Sequence, residues 1–153
     1  MKRTALTLEL VDAEDLPESL RALASRVATA VSDAAGLHGA VALRICSDAE
    51  MRQLNRQFRN VDKPTDVLAF PFDAAGPGTD SIGDVALSYE RVVEQGREHG
   101  HGNEREFAYL VTHALLHLGG HAHDNASGYE CMRRVEEQIL ASIGLTRDQF
   151  SAA

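Results

Sequence analysis

The chain has 153 residues, of which 44% are hydrophobic, and we expect residues 1–153 to form a single domain with an ordinary buried core. Its formal net charge of −8 argues against broad electrostatic attraction as its means of binding nucleic acid. The chain has no apolar run of transmembrane length and no signal-peptide pattern at its start, so we expect a cytoplasmic protein with no membrane partner.

Apolar periodicity predicts four strands and five helices along the chain. The strands are predicted where apolar residues alternate or form a short run, at 4–11, 41–45, 66–72 and 82–88. The helices are predicted where apolar residues recur at helical spacing, at 17–35, 48–58, 88–96, 103–118 and 127–143. The Gly/Pro-rich run from residue 74 is the clearest loop, and we expect the strands on either side of it to pair.

This order of elements favours an α+β fold, with about four strands in a mixed sheet covered by about five helices. The helix at 103–118 should lie near the middle, with core on one side and a cleft on the other. In the helix at 48–58 we expect Met51, Leu54 and Phe58 to face inward. Pro71 suits a strand end or a sheet edge.

The two cysteines, Cys46 and Cys131, lie far apart and in no recognisable motif. We expect both to be buried free thiols.

Three histidines near the end of the fourth predicted helix have the spacing of metal ligands. His113 and His117 stand four residues apart, so on a helix they share one face. Gly119-Gly120 would end the helix, and His123 follows six residues after His117. Three imidazoles with an open fourth position are typical of a catalytic zinc site, with one ion per chain, although nickel or another divalent ion also fits.

The other histidines are weaker candidates. His121 is expected to point away from the metal. His38, His99 and His101 are interpreted as ordinary surface residues.

A short basic strip runs through Arg52, Arg56, Arg59 and Lys63, interrupted by one acid, Asp62. It could follow a phosphate backbone or simply form a solvated helix face, and composition alone favours neither.

The histidine spacing H-x3-H-x5-H equals that of metzincin peptidases. Those enzymes use a glutamate directly after the first histidine as general base, where this chain has Ala114. A methyl group cannot transfer protons, so a peptidase of that type is not expected.

Another resemblance covers more of the chain. The segment H-A-L-L-H-L-G-G-H-A-H at 113–123 resembles the H-G-x-L-H-L-x-G-Y-D-H motif of the YbeY family, bacterial metal-dependent endoribonucleases of ribosomal RNA maturation. Upstream, L-N-x-x-F-R at 54–59, P-T-D-V-L-A-F-P at 64–71 and G-D-V at 83–85 resemble further family segments in order and spacing.

The chain departs from the family pattern at three positions: Ala114 replaces a glycine, and His121 and Ala122 replace Tyr-Asp. The missing aspartate would have been a partner for a ligand histidine, a role that Asp124 is a candidate to share.

The resemblance implies a single-strand-type endoribonuclease for 16S 3′-end maturation and ribosome quality control. Its catalytic residues would be Arg59, His113, His117 and His123, the three histidines holding zinc, with Arg52, Arg56 and Lys63 as candidate RNA contacts. Zinc in such a site activates water and polarises a phosphoryl oxygen, while the planar fork of an arginine suits a phosphate. Asp66 and Asp84 are interpreted as structural residues of the cleft rim. Ribosomal RNA and the small ribosomal subunit or its proteins are the implied partners.

Two alternatives remain at the level of the sequence. One is a metal-dependent hydrolase of another substrate, including a peptidase with its base supplied elsewhere. The other is a non-catalytic ribosome-assembly factor with structural zinc. Attack by water and by the ribose 2′-hydroxyl are both consistent with the residues, no general base stands out, and no motif for a nucleotide cofactor is present.

Overall fold

The computed structural model describes residues 5–72, 80–120 and 126–145. The four strands in these ranges are β1 (Leu6–Val11), β2 (Gly39–Cys46), β3 (Val67–Pro71) and β4 (Ser81–Ser88). The five helices are α1 (Glu18–Ala35), α2 (Asp48–Arg59), α3 (Tyr89–His99), α4 (Gly102–Leu118) and α5 (Ala126–Ser142). The predicted α+β class is confirmed, and the predicted element bounds differ from these by a few residues at most.

The strands form one mixed sheet in the order β1-β2-β4-β3. β1 and β4 both pair with β2 in parallel, whereas β3 pairs with β4 antiparallel, from Val67 opposite Leu87 to Pro71 opposite Gly83. The predicted pairing of these two strands is therefore confirmed. Pro71 ends β3 at the sheet edge, where its missing N–H breaks no inner ladder.

α4 is the central helix of the fold, as predicted. It packs against α1, α3 and α5 and against strands β3 and β4. Its core side is fully buried along its length, through Phe107, Leu110, Val111, Ala114 and Leu115. Because the helix is held from several sides, side chains on its remaining face have a fixed position. Of the helices in the described ranges, none has the length and apolar character needed to cross a membrane.

α2 covers the opposite face of the sheet. Its start is closed by a capping box, in which the Ser47 side chain accepts from the Glu50 backbone and Glu50 accepts from the Ser47 backbone. Met51 is buried beneath the helix in a small cluster with Leu68 of β3, separate from the main core. α2 therefore ends beside the edge strand, on the side away from α4.

The predicted burial of Phe58 is wrong. The side chain is 59% exposed and lies edge-on against Phe70, with ring centroids 5.2 Å apart. Phe70 belongs to the edge strand, so no further strand covers the outer side of the pair. The buried residue in this part of α2 is Asn55, whose amide donates to the Lys63 carbonyl at 2.9 Å.

The expectation of two buried thiols is half correct. Cys46 is a buried free thiol at the end of β2, and burial raises its pKa. Cys131 is also free but exposed. The inward side of α5 is formed by other residues, among them Met132, Ile139 and Leu140.

Gly83 allows β3, β4 and the end of α4 to approach closely. A Cβ at this position would lie 2.8 Å from the Phe70 carbonyl oxygen and 2.7 Å from Cδ2 of Leu118. Both distances are shorter than real carbon contacts, so a side chain here would push α4 away from the sheet. Close packing between β3, β4 and α4 therefore explains the glycine of the G-D-V segment.

Candidate active site

A cleft of about 480 Å³ opens between α4 and the edge strand β3. Arg59, His113 and His117 all line it, together with Asp66 and Tyr109. The fold thus brings together three of the four side chains that were predicted to be catalytic. His123, the fourth, lies outside the described residues, as do His121, Ala122 and Asp124.

His113 and His117 occupy one face of α4, one turn apart, as their spacing predicts. Their ring centroids are 4.8 Å apart and the ring planes meet at 71°. Both side chains are half-buried, while Ala114 beside them is buried at the cleft wall. Two imidazoles at this separation suit neighbouring ligands of a single ion.

A buried carboxylate orients His113. Oε2 of Glu136 in α5 lies 2.5 Å from Nδ1 of His113, and the Glu136 side chain is only 2% exposed. When Nδ1–H donates to this carboxylate, the lone pair of the ring is on Nε2, the tautomer that a metal ligand requires. The residues present therefore fit a divalent metal.

Glu136 is not predicted from the sequence. The family motif places an orienting aspartate at the position of Ala122, and not in the last helix. One sequence signal was available: Glu136 lies four residues after Met132 and three before Ile139, on the apolar face of α5. A glutamate at such a position needs a buried partner.

Arg59 reaches the cleft from the other side of the sheet edge. It is the last residue of α2, and Asn60 ends the helix in the left-handed conformation at φ 57°. Because α2 stops beside the edge strand, its terminal side chain can line the cleft opposite the two histidines. Arg59 is exposed, and among the residues that the structure describes no carboxylate forms an ion pair with it. Its guanidinium is therefore available to an anion in the cleft.

The rest of the basic strip is less uniform than its sequence suggests. Arg52 donates to both carboxylate oxygens of Asp62, at 2.7 and 3.2 Å, and these hydrogen bonds lower the pKa of Asp62. Arg56 and Lys63 are exposed. Arg52 is therefore already paired with an acid, whereas its two neighbours face solvent beside the cleft arginine.

Asp66 and Asp84 lie in different places. Asp66 lines the cleft, and its carboxylate accepts from the Val67 backbone at 2.7 Å and from the Gln95 amide at 3.3 Å. These bonds agree with the expected structural role at the rim. Asp84 is exposed on the face that α2 covers, beside Phe58 and Phe70, and does not line the cleft.

The interpretation of His101 as an ordinary surface residue is wrong, whereas His99 is exposed, as predicted, but also contacts a buried carboxylate. The His101 side chain is 14% exposed, and its Nε2 lies 2.6 Å from Oε1 of Glu106. His99 contacts the same oxygen through Nδ1 at 3.1 Å, with its side chain 53% exposed. Both histidines lie at the α3–α4 turn and meet the first turns of α4, a contact that local sequence does not reveal.

His99, His101 and Gln95 gather around the buried carboxylate of Glu106. Its side chain is 1% exposed, and its other oxygen, Oε2, accepts from Gln95 at 2.9 Å. Burial raises the pKa of Glu106, but the hydrogen bonds from His101, His99 and Gln95 outweigh that effect and hold the pKa below its ordinary value. The carboxylate is therefore ionised within a polar network.

His38 also departs from the surface interpretation. It is half-buried, and its backbone forms an isolated antiparallel bridge with Ala5.

Comparison with known proteins identifies relatives along most of the chain. The family model described as endoribonuclease YbeY matches residues 8–144. An endoribonuclease YbeY of Chloroflexus aggregans is 40% identical over 151 residues, covering 92% of this chain and 98% of that protein. One from Moorella thermoacetica is also 40% identical, covering 85% and 90% of the two chains.

A solved structure agrees with the fold. The solution structure of TM1509 from Thermotoga maritima superposes with a TM-score of 0.59 and 26% identity, covering 90% of this chain and 91% of that one. The family model spans most of the chain and the relatives are 40% identical over nearly their whole length, so the chain belongs to the YbeY endoribonuclease family.

Proposed function

We propose that this protein is a zinc-dependent endoribonuclease that cleaves single-stranded segments of ribosomal RNA. The observation that carries the proposal is the common cleft of Arg59, His113 and His117. It joins two metal-ligand side chains to a cation suited to phosphate, and a phosphodiester needs both. The endoribonuclease name of the relatives agrees with this combination.

In the proposed site, His113, His117 and His123 hold the zinc ion. The bound ion would supply Lewis acidity and an activated oxygen nucleophile at neutral pH. Glu136 keeps His113 in the ligand tautomer through the hydrogen bond to Nδ1. A buried carboxylate thus serves to orient one metal ligand.

Arg59 would bind the scissile phosphate. Its guanidinium can donate two parallel hydrogen bonds to phosphate oxygens, which gather negative charge as the bond breaks. The arginine comes from α2 and the histidines from α4, so an RNA strand in the cleft would lie between the two. This division predicts that losing Arg59 impairs cleavage more than metal binding.

The cleft gives less support to peptide cleavage. Ala114, at the position where metzincins carry their general base, is 1% exposed and contributes only a methyl group to the wall. Asp66 is the carboxylate among the described lining residues, and its oxygens already accept hydrogen bonds from Val67 and Gln95.

Family membership supports a more specific proposal for the RNA substrate, the cellular role and the partners. We propose that the substrate is the 3′ region of 16S precursor RNA, that cleavage also serves ribosome quality control, and that the protein meets the small ribosomal subunit or its proteins in the cytoplasm. Incubating precursor small subunits with the protein and mapping RNA 3′ ends would test the substrate. Cleavage elsewhere in the RNA would contradict the 3′-end assignment.

The central experiment compares substrates and variants in one preparation. Purified protein of verified metal content is given structured ribosomal RNA and, separately, an unstructured protein. A chelated sample and an Arg59→Ala variant, purified in the same way, run beside it. Arg97→Ala is the matched control, since Arg97 is an exposed arginine near the end of α3 that does not line the cleft.

Four outcomes are distinguishable. RNA cleavage that is lost with chelator and with Arg59→Ala, but retained in Arg97→Ala, supports the proposal. Cleavage of the protein substrate alone would overturn it in favour of a peptidase-like hydrolase. Inertness towards both substrates would favour a ribosome-assembly factor with structural zinc. Equal RNA cleavage by the Arg59→Ala sample would reveal a contaminating ribonuclease.

A further inference from the structure

Two imidazole nitrogens converge on one oxygen of a buried carboxylate, outside the proposed active site. His99 Nδ1 and His101 Nε2 lie 3.1 and 2.6 Å from Oε1 of Glu106, and the three potential ligand atoms all lie within 4.8 Å of one another. The histidines flank Gly100, which ends α3 in the left-handed conformation at φ 71°. We propose that His99, His101 and Glu106 form a second divalent-cation site.

The donor set selects the class of ion. Two imidazoles and one carboxylate suit zinc and its neighbours nickel and cobalt, whereas magnesium and calcium prefer oxygen ligands. Ligands of a tetrahedral zinc ion are separated by about 3.3 Å, as follows from metal–ligand distances of roughly 2.0–2.1 Å. The His99–Glu106 distance of 3.1 Å is close to that value. Nε2 of His101 lies 2.6 Å from the same oxygen and would have to move outward to reach this ligand–ligand separation.

The protonation states also permit the ion to bind. Without a cation, each ring donates its N–H to Oε1 of Glu106. A neutral imidazole can instead carry its proton on the other ring nitrogen, which turns the inward nitrogen into a lone-pair donor. An ion beside Oε1 would then replace two N–H donors, and Gln95 would still bind Oε2. The carboxylate thus remains satisfied in both states.

There is room for an ion with its remaining water ligands. A cavity of about 210 Å³ adjoins the cluster, lined by His99, His101 and Glu106 and by residues of α4 and α5. Three protein ligands leave a fourth position, which this space can accommodate.

The second site is too far from the cleft for joint catalysis. Glu106 and His113 are seven residues apart on α4, roughly 10 Å along the axis at about 1.5 Å per residue. Two-metal catalysis needs ions about 3.5–4 Å apart. The function that fits is structural: the ion would join the end of α3 to the first turns of α4. Gln95 then relays this support, because its amide contacts both Glu106 and Asp66 of the cleft rim.

The test counts ions in variants that separate the two sites. In the first variant, His113→Ala, His117→Ala and His123→Ala remove the proposed catalytic ligands. The second variant adds His99→Ala and His101→Ala. A control adds His38→Gln to the first variant instead, removing a histidine far from the cluster. Each full-length protein is dialysed against Zn²⁺, its bound zinc is measured, and its secondary structure is checked by circular dichroism.

We expect one zinc ion in the first variant and in the control, and none in the second. The thermal midpoint of the first variant should also rise by about 5 °C or more with Zn²⁺ in about 100-fold excess over its dissociation constant. No zinc in a folded first variant, or equal zinc in the first and second, would overturn the proposal. If the second variant does not fold, His99→Gln added to the first variant replaces it, with a predicted loss of zinc affinity of at least tenfold. The wild-type count tests the cleft separately: one ion instead of two, with one retained in the first variant, would contradict the catalytic zinc alone.

Discussion

Glu136 of α5 and His113 of α4 meet across the helix interface, with Oε2 of the carboxylate 2.5 Å from Nδ1 of the imidazole. The contact joins a side chain with almost no exposed surface to one that lines the cleft. It links the packing of α5 to the chemistry of α4, because the carboxylate fixes which ring nitrogen faces the cleft.

Replacing Glu136 should therefore weaken metal binding more than folding. We predict that Glu136→Gln lowers zinc affinity by about 10- to 100-fold, since an amide cannot stabilise the ligand tautomer as a carboxylate does. Competition with a chromophoric chelator would measure the change. Glu130→Gln, an exposed position on the same helix, is the control. Unchanged zinc affinity in a folded Glu136→Gln protein would contradict an orienting role.

Arg59 should act on turnover and not on metal content. We predict that Arg59→Ala lowers kcat by about 10²- to 10³-fold, the range expected when one donor to developing transition-state charge is lost. Arg59→Lys should recover only part of this, because an ammonium group lacks the planar fork. Single-turnover cleavage with zinc content measured in parallel checks both points. A variant that loses zinc instead of turnover would show a structural role.

The residues of the basic strip should differ in their effect on RNA binding, depending on whether they already form an ion pair. Arg56→Ala and Lys63→Ala should each weaken RNA binding and reduce the slope of log affinity against log salt by about 0.7 for a single strand. Arg52→Ala should have a smaller effect, because its guanidinium is already bound to Asp62. Binding titrations at several salt concentrations measure the slopes. Equal slopes for the wild type and all three variants would exclude contacts between the basic strip and the RNA phosphate backbone.

Gly83 should be intolerant of any side chain. We predict that Gly83→Ala destabilises the protein by about 1–3 kcal/mol, the typical cost of overpacking, because the added Cβ meets Phe70 and Leu118. Leu118 follows His117 directly, so displacement of the helix end should also weaken zinc binding. Urea unfolding measures the first effect and chelator competition the second. Gly36→Ala is the comparison variant. A Cβ there has no neighbour within 4 Å, so this variant shows the cost of a positive φ without overpacking.

Asp48 should make stability depend on pH in the acid range. Partial burial raises its pKa, but hydrogen bonds from Arg91 and Ser88 outweigh this and hold the pKa below its ordinary value of 3.8. A depressed pKa in the folded state means that the stabilisation is present above that ordinary value and is lost as the pH falls through the lower folded value. Asp48→Asn should therefore cost about 1 kcal/mol near neutral pH.

Unfolding free energies of the wild type and Asp48→Asn at a series of pH values test this sign. The difference between the two should shrink as the pH falls below about 4. Asp33→Asn, on the exposed side of α1, controls for the loss of one negative charge. A difference that grows towards acid pH would contradict the assigned role of the Arg91–Asp48 pair.

Local features of the chain were predictable because they depend on neighbours in sequence. The spacing of His113 and His117 follows from helix geometry alone. Alternating apolar residues or a short apolar run indicated all four strands, and Pro71 indicated a strand end or a sheet edge. The capping box of Ser47 and Glu50 is likewise local, because the two residues stand three positions apart in the chain.

Features built from distant segments depended on tertiary structure. Nothing local tells that α2 ends beside the cleft, and Arg59 could be linked to the histidines beforehand only through the family resemblance. Phe58 looked buried by its helical position, yet the edge strand leaves its outer side exposed. His99 and His101 looked like surface residues because Glu106, their partner, lies on the next helix.

By itself, the sequence of this protein determined the elements, the fold class and a pair of histidines on one helix face, since each of these follows from periodicity within a short segment. Tertiary structure decided which carboxylate orients His113, which arginine shares its cleft and which histidines surround a buried glutamate. Buried charges need partners, and packing selects those partners from elements that are far apart in the chain.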